Sequence, residues 1–298
     1  MSRRAKSARR GASGAVAVND RKKNRDIFVA RPFEGLADEP QWIALRELVP
    51  AASAPLRLAG EYAERYPDRP VTLATILPMA VGAVAKADGQ VLLGLQRHQQ
   101  SGDVSRDLAA SLLAALRTPP GETVETPALP GAGPRLQDVL EPLPLDVTVH
   151  SGLDFWLDTD PAEDSDVRAS LDRANASIYP TAALAAAPAG YWCRPPERAH
   201  VRWVLGEDED LALRALARLA SAGELTWGDG TRFAGMFRAH GRLVPVWDVP
   251  PEAGPEAWEA PAARFAERYA AALAVPDALS VAERRARQGL LGRQIPLR

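Results

Sequence analysis

Residues 228–249, GDGTRFAGMFRAHGRLVPVWDV, constrain the fold more than any other stretch of the chain. Asp229-Gly230 is a turn signal. Phe233, Met236 and Phe237 follow in a strand-like run, Ala239-His240-Gly241-Arg242 interrupts it, and Leu243, Val244, Val246 and Trp247 resume it. Two apolar runs around a short glycine-containing break define a β-hairpin. Pro245 has no N–H to give to a ladder, so the second strand is expected to be an edge or to bulge there. Amphipathic helices flank the hairpin. Leu213, Leu216 and Leu219 form a seam before it, and Trp258, Ala262, Phe265, Tyr269 and Leu273 form a longer stripe after it.

A similar order of elements occurs near the start of the chain. Trp42, Leu45, Leu48 and Val49 share a helix face, β-rich runs follow at residues 71–77 and 89–96, and a helix with Leu108, Leu112 and Leu116 on one side begins near Val104. The expected fold is therefore α+β. It comprises two helix–hairpin–helix units with antiparallel sheets, related by an internal duplication and joined by a smaller α+β segment. The expected divisions are a basic arm at 1–26, an N-terminal unit at 27–118, a middle segment at 119–204 and a C-terminal unit at 205–298. Residues 118–134 are rich in Pro and Gly and mark the main linker. In the middle segment, residues 145–157 read as a second hairpin turning at Ser151-Gly152.

Charge is unevenly distributed. Residues 1–32 hold ten Lys and Arg against Asp20 and Asp26, a net +8, while the rest of the chain carries a net −10. Residues 1–26 lack the large apolar side chains that offset ordering entropy, so the arm is expected to be disordered in isolation. Arg3, Arg4, Lys6, Arg9, Arg10, Arg21, Lys22, Lys23 and Arg25 are its candidate polyanion contacts, for RNA or a ribosome. Each phosphate they neutralise releases counterions without reading sequence. A solubilising tail is the plainer alternative. The arm has no apolar run of the kind a signal peptide carries, and no uncharged run reaches the roughly 20 residues of a membrane span. A cytoplasmic protein that contacts no membrane is expected.

No motif carries a specific chemistry. The single cysteine, Cys193, excludes an internal disulfide and a cysteine-rich zinc site. None of His98, His150, His200 and His240 has a histidine three or four residues away, so none forms a local metal-ligand pair. His98 is the strongest of them, because loops between a strand and a helix often carry function. Cys193 and His200 would make a nucleophile pair only if the fold joins them. Asp154, Asp158 and Asp160, or Glu163, Asp164 and Asp166, read as solvated acidic loops rather than cation sites. The seven tryptophans read as core. No catalytic residue, metal or cofactor is assigned.

Four stretches carry a resemblance: FVARPFEGL at 28–36, GPRLQD at 133–138, YWC at 191–193, and residues 231–247. They are similar to an actinobacterial family of unknown function, DUF5926, from about residue 28 to the C-terminus. Members of that family often carry a cysteine-rich SEC-C zinc motif ahead of the first stretch. This chain has no cysteine there and has the basic arm instead, so neither that zinc nor a SecA-type role carries over. The resemblance implies a cytoplasmic protein and transfers no catalytic residue. The leading expectation is a non-enzymatic binding or adaptor protein with an unidentified protein partner. The rival is a hydrolase with its site between the two units and His98 or His240 taking part.

Overall fold

The computed structural model describes residues 26–162 and 165–295. The α+β class stands. The first sheet contains β1 (Ala52–Leu56), β2 (Val71–Ala74), β3 (Ala83–Ala85), β4 (Val91–Gly94) and β5 (Thr148–Val149), in the order β3-β4-β2-β1-β5. β2 and β4 run parallel and the remaining pairs are antiparallel. Side chains alternate across β4. Val91 and Leu93 join one core, shared with Leu108 and Leu112 of α3 (Val104–Arg117), while Leu92 joins another. On that opposite face Leu153, Trp156 and Leu171 of α5 (Asp166–Ala176) cover the sheet.

The second sheet contains β6 (Thr181–Ala183), β7 (Gly190–Cys193), β8 (Ala199–Trp203), β9 (Arg232–Ala239) and β10 (Arg242–Val249), in the order β6-β7-β8-β10-β9. Every pairing in it is antiparallel. One face carries Trp203, Leu243 and Trp247, which pack with Leu216 of α6 (Glu209–Ser221), Phe265 of α7 (Glu259–Ala274) and Leu290 of α8 (Val281–Leu291). The other face presents Tyr191, Phe237, Val244 and Val246 to the same core that holds Leu73 of β2. Trp42, Ile43 and Leu45 of α1 (Glu39–Glu47) lie in that shared core. Four consecutive buried residues, Trp42, Ile43, Ala44 and Leu45, leave α1 no polar stripe, as expected of a helix enclosed on all sides.

The hairpin forms where the sequence places it. His240 (φ 47°) and Gly241 (φ 80°) make its two-residue turn, and positive φ at both positions matches the right-handed twist of the strands. A Cβ on Gly241 would lie 2.3 Å from Arg31 Cγ, so the turn also needs glycine for close approach. Pro245 requires a correction, because β10 is an interior strand between β8 and β9. The proline is accommodated because it opposes Met236, whose N–H donates outward to Arg293 O at 3.1 Å, and the β8 ladder begins only at Val246. A bulge does follow, between Val246 and Trp247. The free edge of β9 is covered by the C-terminal segment, where Ile295 N donates to Met236 O at 2.9 Å.

Two further expectations change. The strand orders differ, and the first sheet is mixed where the second is antiparallel, so topology does not support a duplication. Residues 145–157 make no hairpin. Thr148 and Val149 extend the β1 edge, and the chain then turns through a 3-10 segment at Asp154–Trp156. Trp156 tucks under the sheet and donates its Nε1–H to Thr75 O at 3.0 Å, so burial of an aromatic ring replaces strand pairing there. Residues 119–204 contribute to both sheets, through β5 to the first and β6, β7 and β8 to the second.

Candidate functional site

The parallel pair creates a cleft. Loops leaving the carboxyl ends of β2 and β4 diverge, and such ends are where open parallel sheets receive ligands. After β2 come Leu77, Pro78, Met79 and Ala80, and after β4 come Gln96, Arg97 and His98. Two adjoining cavities of 470 and 400 Å³ meet at Ala80, Arg97 and His98. Gly94 sets the cleft wall. A Cβ there would sit 1.7 Å from Val81 O, so only glycine lets the 80–83 segment lie against β4, where Gly94 N donates to Gly82 O at 3.0 Å.

Buried polar groups hold the floor. Arg97 donates Nη1 to Asp107 O and Ser111 Oγ. The Asp107 carboxylate, fully buried, accepts from Ser101 N at 2.6 Å, Ser101 Oγ at 2.8 Å and Gly131 N at 3.0 Å. Arg46 donates to Leu95 O and Gln100 Oε1, while its Nε has no hydrogen bond and lies 3.4 Å from Glu47 Oε1. Gln96 accepts from Ile76 N at 2.9 Å and donates to Arg46 O at 2.8 Å. Burial lowers the pKa of both Arg46 and Arg97, partly offset by Glu47 and by Asp107 respectively. Guanidiniums keep their charge under such pressure, so the cleft floor carries two partly desolvated cations.

Behind the floor, Glu47 bonds His240 Nε2 at 2.8 Å. Burial opposes the Glu47 charge, but the His240 bond and the nearby His240 and Arg46 side chains outweigh it and hold the carboxyl below its usual range. Phe33 meets the His240 ring edge-on at 5.4 Å. This pair ties the hairpin turn to the end of α1. At the other end of α1, Glu39 is clamped by Arg31 Nη2 at 2.7 Å and Arg242 Nη2 at 2.6 Å. A third cavity, of 490 Å³, lies between Pro40 and Gln41 on one side and Tyr191, Trp203 and Leu205 on the other. Gln41 donates to the Tyr191 hydroxyl across it, and burial pushes that phenol up to about 12.

A family model matches residues 32–298 and is described as a family of unknown function, DUF5926. The chain belongs to DUF5926. Comparison with curated proteins gave no match, and comparison with solved structures gave none. The chemistry of this member of the family therefore has to be read from its own residues.

Arg3, Arg4, Lys6, Arg9, Arg10, Arg21, Lys22, Lys23 and Arg25 lie outside the described residues. His98 sits exposed in the cleft wall. His150 stacks on Phe155 at 4.2 Å and bonds the Ser53 hydroxyl at 2.8 Å, and burial lowers its pKa. His200 lies 3.0 Å from Asp248. Burial and the Arg202 charge lower the His200 pKa despite that carboxylate. The fold does join Cys193 to His200, which are cross-strand partners on β7 and β8. The Cys193 sulfur, however, accepts from Arg202 Nη2 at 2.8 Å, and burial raises the thiol pKa. A thiol held protonated packs as a small hydrophobe and is no nucleophile. Among the described residues no group of three His, Cys, Asp or Glu is placed to hold a metal, and no helix is long and apolar enough to cross a membrane. All seven tryptophans are buried.

Sequence reasoning missed Arg46, Arg97 and Asp107. Arg46 sits in a helix between Leu45 and Glu47, and an Arg-Glu pair there reads as an ordinary outer-face position. One signal was available. Gln96-Arg97-His98-Gln99-Gln100 places an uninterrupted polar run directly after a fully apolar strand, where a buried strand meets its loop.

Proposed function

We propose that this protein is a non-enzymatic binding or adaptor protein of the cytoplasm. In this reading its basic arm contacts a polyanion, RNA or a ribosome, and its folded body supplies a separate ligand cleft. The observation that carries the reading is the cleft itself, whose floor presents the guanidiniums of Arg46 and Arg97 and no activated nucleophile. The charge of residues 1–32, ten Lys and Arg against two acids, supports the polyanion contact. Co-purification from lysate tests the arm. RNA or ribosomal material is expected with the full chain, lost at high salt, and absent from a chain lacking residues 1–26. A full chain that emerges free of nucleic acid at low salt refutes it.

One observation favours the hydrolase reading, namely the His240–Glu47 pair at 2.8 Å. A general base needs a nucleophile or a water within hydrogen-bond reach. Among the described residues no hydroxyl or thiol bonds His240, and Phe33 covers the ring edge. Hydrolysis of a model ester that is abolished in His240→Gln, in a variant that still folds, would establish this second reading. An unchanged rate would remove it.

A further inference from the structure

We infer that the cleft at the carboxyl ends of β2 and β4 is a binding site for a small apolar monocarboxylic acid. The inference rests on reading the cleft as a ligand site and is independent of the arm. Arg97 is oriented for this task. Its Nη1 is occupied by Asp107 O and Ser111 Oγ, which fixes the plane of the guanidinium. Its Nε and Nη2 have no hydrogen-bond partner among the described residues, and neither is among the buried unpartnered atoms. That free edge is the one that grips a carboxylate through two parallel bonds. Arg46, 7 % exposed, adds a second positive charge deeper in the floor, with an Nε that has no hydrogen bond.

The acids nearby set the charge the site accepts. Asp107 is saturated by three donors behind α3. Glu47 is turned to His240 and Arg46. Glu125 stands exposed on the rim, where it repels a second negative charge on the ligand. One carboxylate therefore fits better than a phosphate dianion. Beside the polar Gln99 and Thr126, the side chains of Val81, Val124, Pro127 and Leu129 give the cavity an apolar side that suits a compact hydrocarbon body. Volumes of 470 and 400 Å³ lie in the range of small-molecule pockets.

Calorimetric titration of the full chain at low ionic strength tests the inference, with benzoate, phenyl phosphate and benzyl alcohol as probes. Benzoate is expected to bind saturably, with phenyl phosphate weaker and benzyl alcohol at least tenfold weaker. Arg97→Gln should lose at least tenfold in benzoate affinity, and Arg97→Lys should recover only part of it. Ala128→Trp, at an exposed position on the apolar wall, should block the cleft without touching a buried group, so it keeps the test decisive if Arg97→Gln does not fold. Equal binding of the alcohol, unchanged affinity in either the Arg97→Gln or the Ala128→Trp variant, or no saturable binding of either anion would overturn the proposal. Tighter binding of phenyl phosphate would overturn the monocarboxylate class. RNA retention by the arm is measured separately, so each reading fails on its own evidence.

Discussion

The surroundings of the two sheets are built from different materials. Around the second sheet the core is a set of stacked and edge-on rings. Trp227 lies 5.4 Å from Trp247 and 5.6 Å from Phe265, and Trp247 lies 5.0 Å from Phe265. Around the first sheet, polar side chains run through the core: Arg46, Thr75, Gln96, Asp103, Ser105, Asp107 and Ser111 are all buried. After residue 118 the one buried charged side chain among the described residues is Arg242, and it reaches back to Glu39. Aromatic packing contributes large buried area without dictating chemistry. Buried polar networks contribute little net stability over an apolar core and are costly when half-satisfied. The contrast places the frame of the molecule in the second sheet and the proposed ligand cleft beside the first.

The strongest way to break this comparison is to remove a ring. Trp247→Ala should cost about 4 kcal/mol, measured by urea unfolding, because the site is completely buried among three other rings and cannot collapse. A loss under about 1 kcal/mol would mean that the aromatic cluster is not the frame.

Arg242→Ala comes next, at about 3 kcal/mol, since it leaves the buried Glu39 carboxylate with Arg31 alone. The same clamp predicts a pH dependence. Burial raises the Glu39 pKa, but the bonds from Arg31 and Arg242 outweigh it and the folded value lies below the ordinary one. A carboxyl with a depressed folded pKa contributes stability that is fully present above its unfolded value, near ~4.3. That contribution is lost as pH falls through the folded value. Arg242→Ala should flatten this acid limb in a series of thermal melts, and an unchanged limb would show that Glu39 is not its source.

Gly94→Ala probes the polar side. The added methyl meets the Val81 carbonyl, so the 80–83 segment must lift off β4, at a cost of about 2 kcal/mol. Benzoate affinity should fall with it. Stability lost with affinity intact would detach the cleft from this glycine. The smallest expected effect is Ser165→Ala, about 1 kcal/mol, from losing the hydroxyl that accepts Arg168 N at the start of α5. Unfolding monitored by urea should show it, and no change would mean that this cap is satisfied otherwise.

Much of the frame was legible in the sequence because its signals are local. The 228–249 hairpin and the α3 face of Leu108, Leu112 and Leu116 each depend on residues a few positions apart. Pro245 misled because its meaning depends on which strands flank it, and that is a long-range property. The expected 145–157 hairpin failed for the same reason. A two-residue strand such as Thr148-Val149 can pair with any free edge, and Trp156 found a carbonyl 81 residues away.

The candidate site was nearly invisible. Arg46 on α1, Arg97 after β4 and Asp107 on α3 carry no motif, and they become a set only when tertiary packing brings those three elements together. By itself, then, the sequence determined the α+β class, the core helices, the hairpin and a segregated positive charge, since periodicity, turn chemistry and composition are properties of neighbouring residues. Tertiary structure alone decided the strand order, the enclosure of α1 between two sheets and the cationic cleft. Those outcomes depend on which distant apolar faces bury each other best, and on where that burial forces polar groups to find partners.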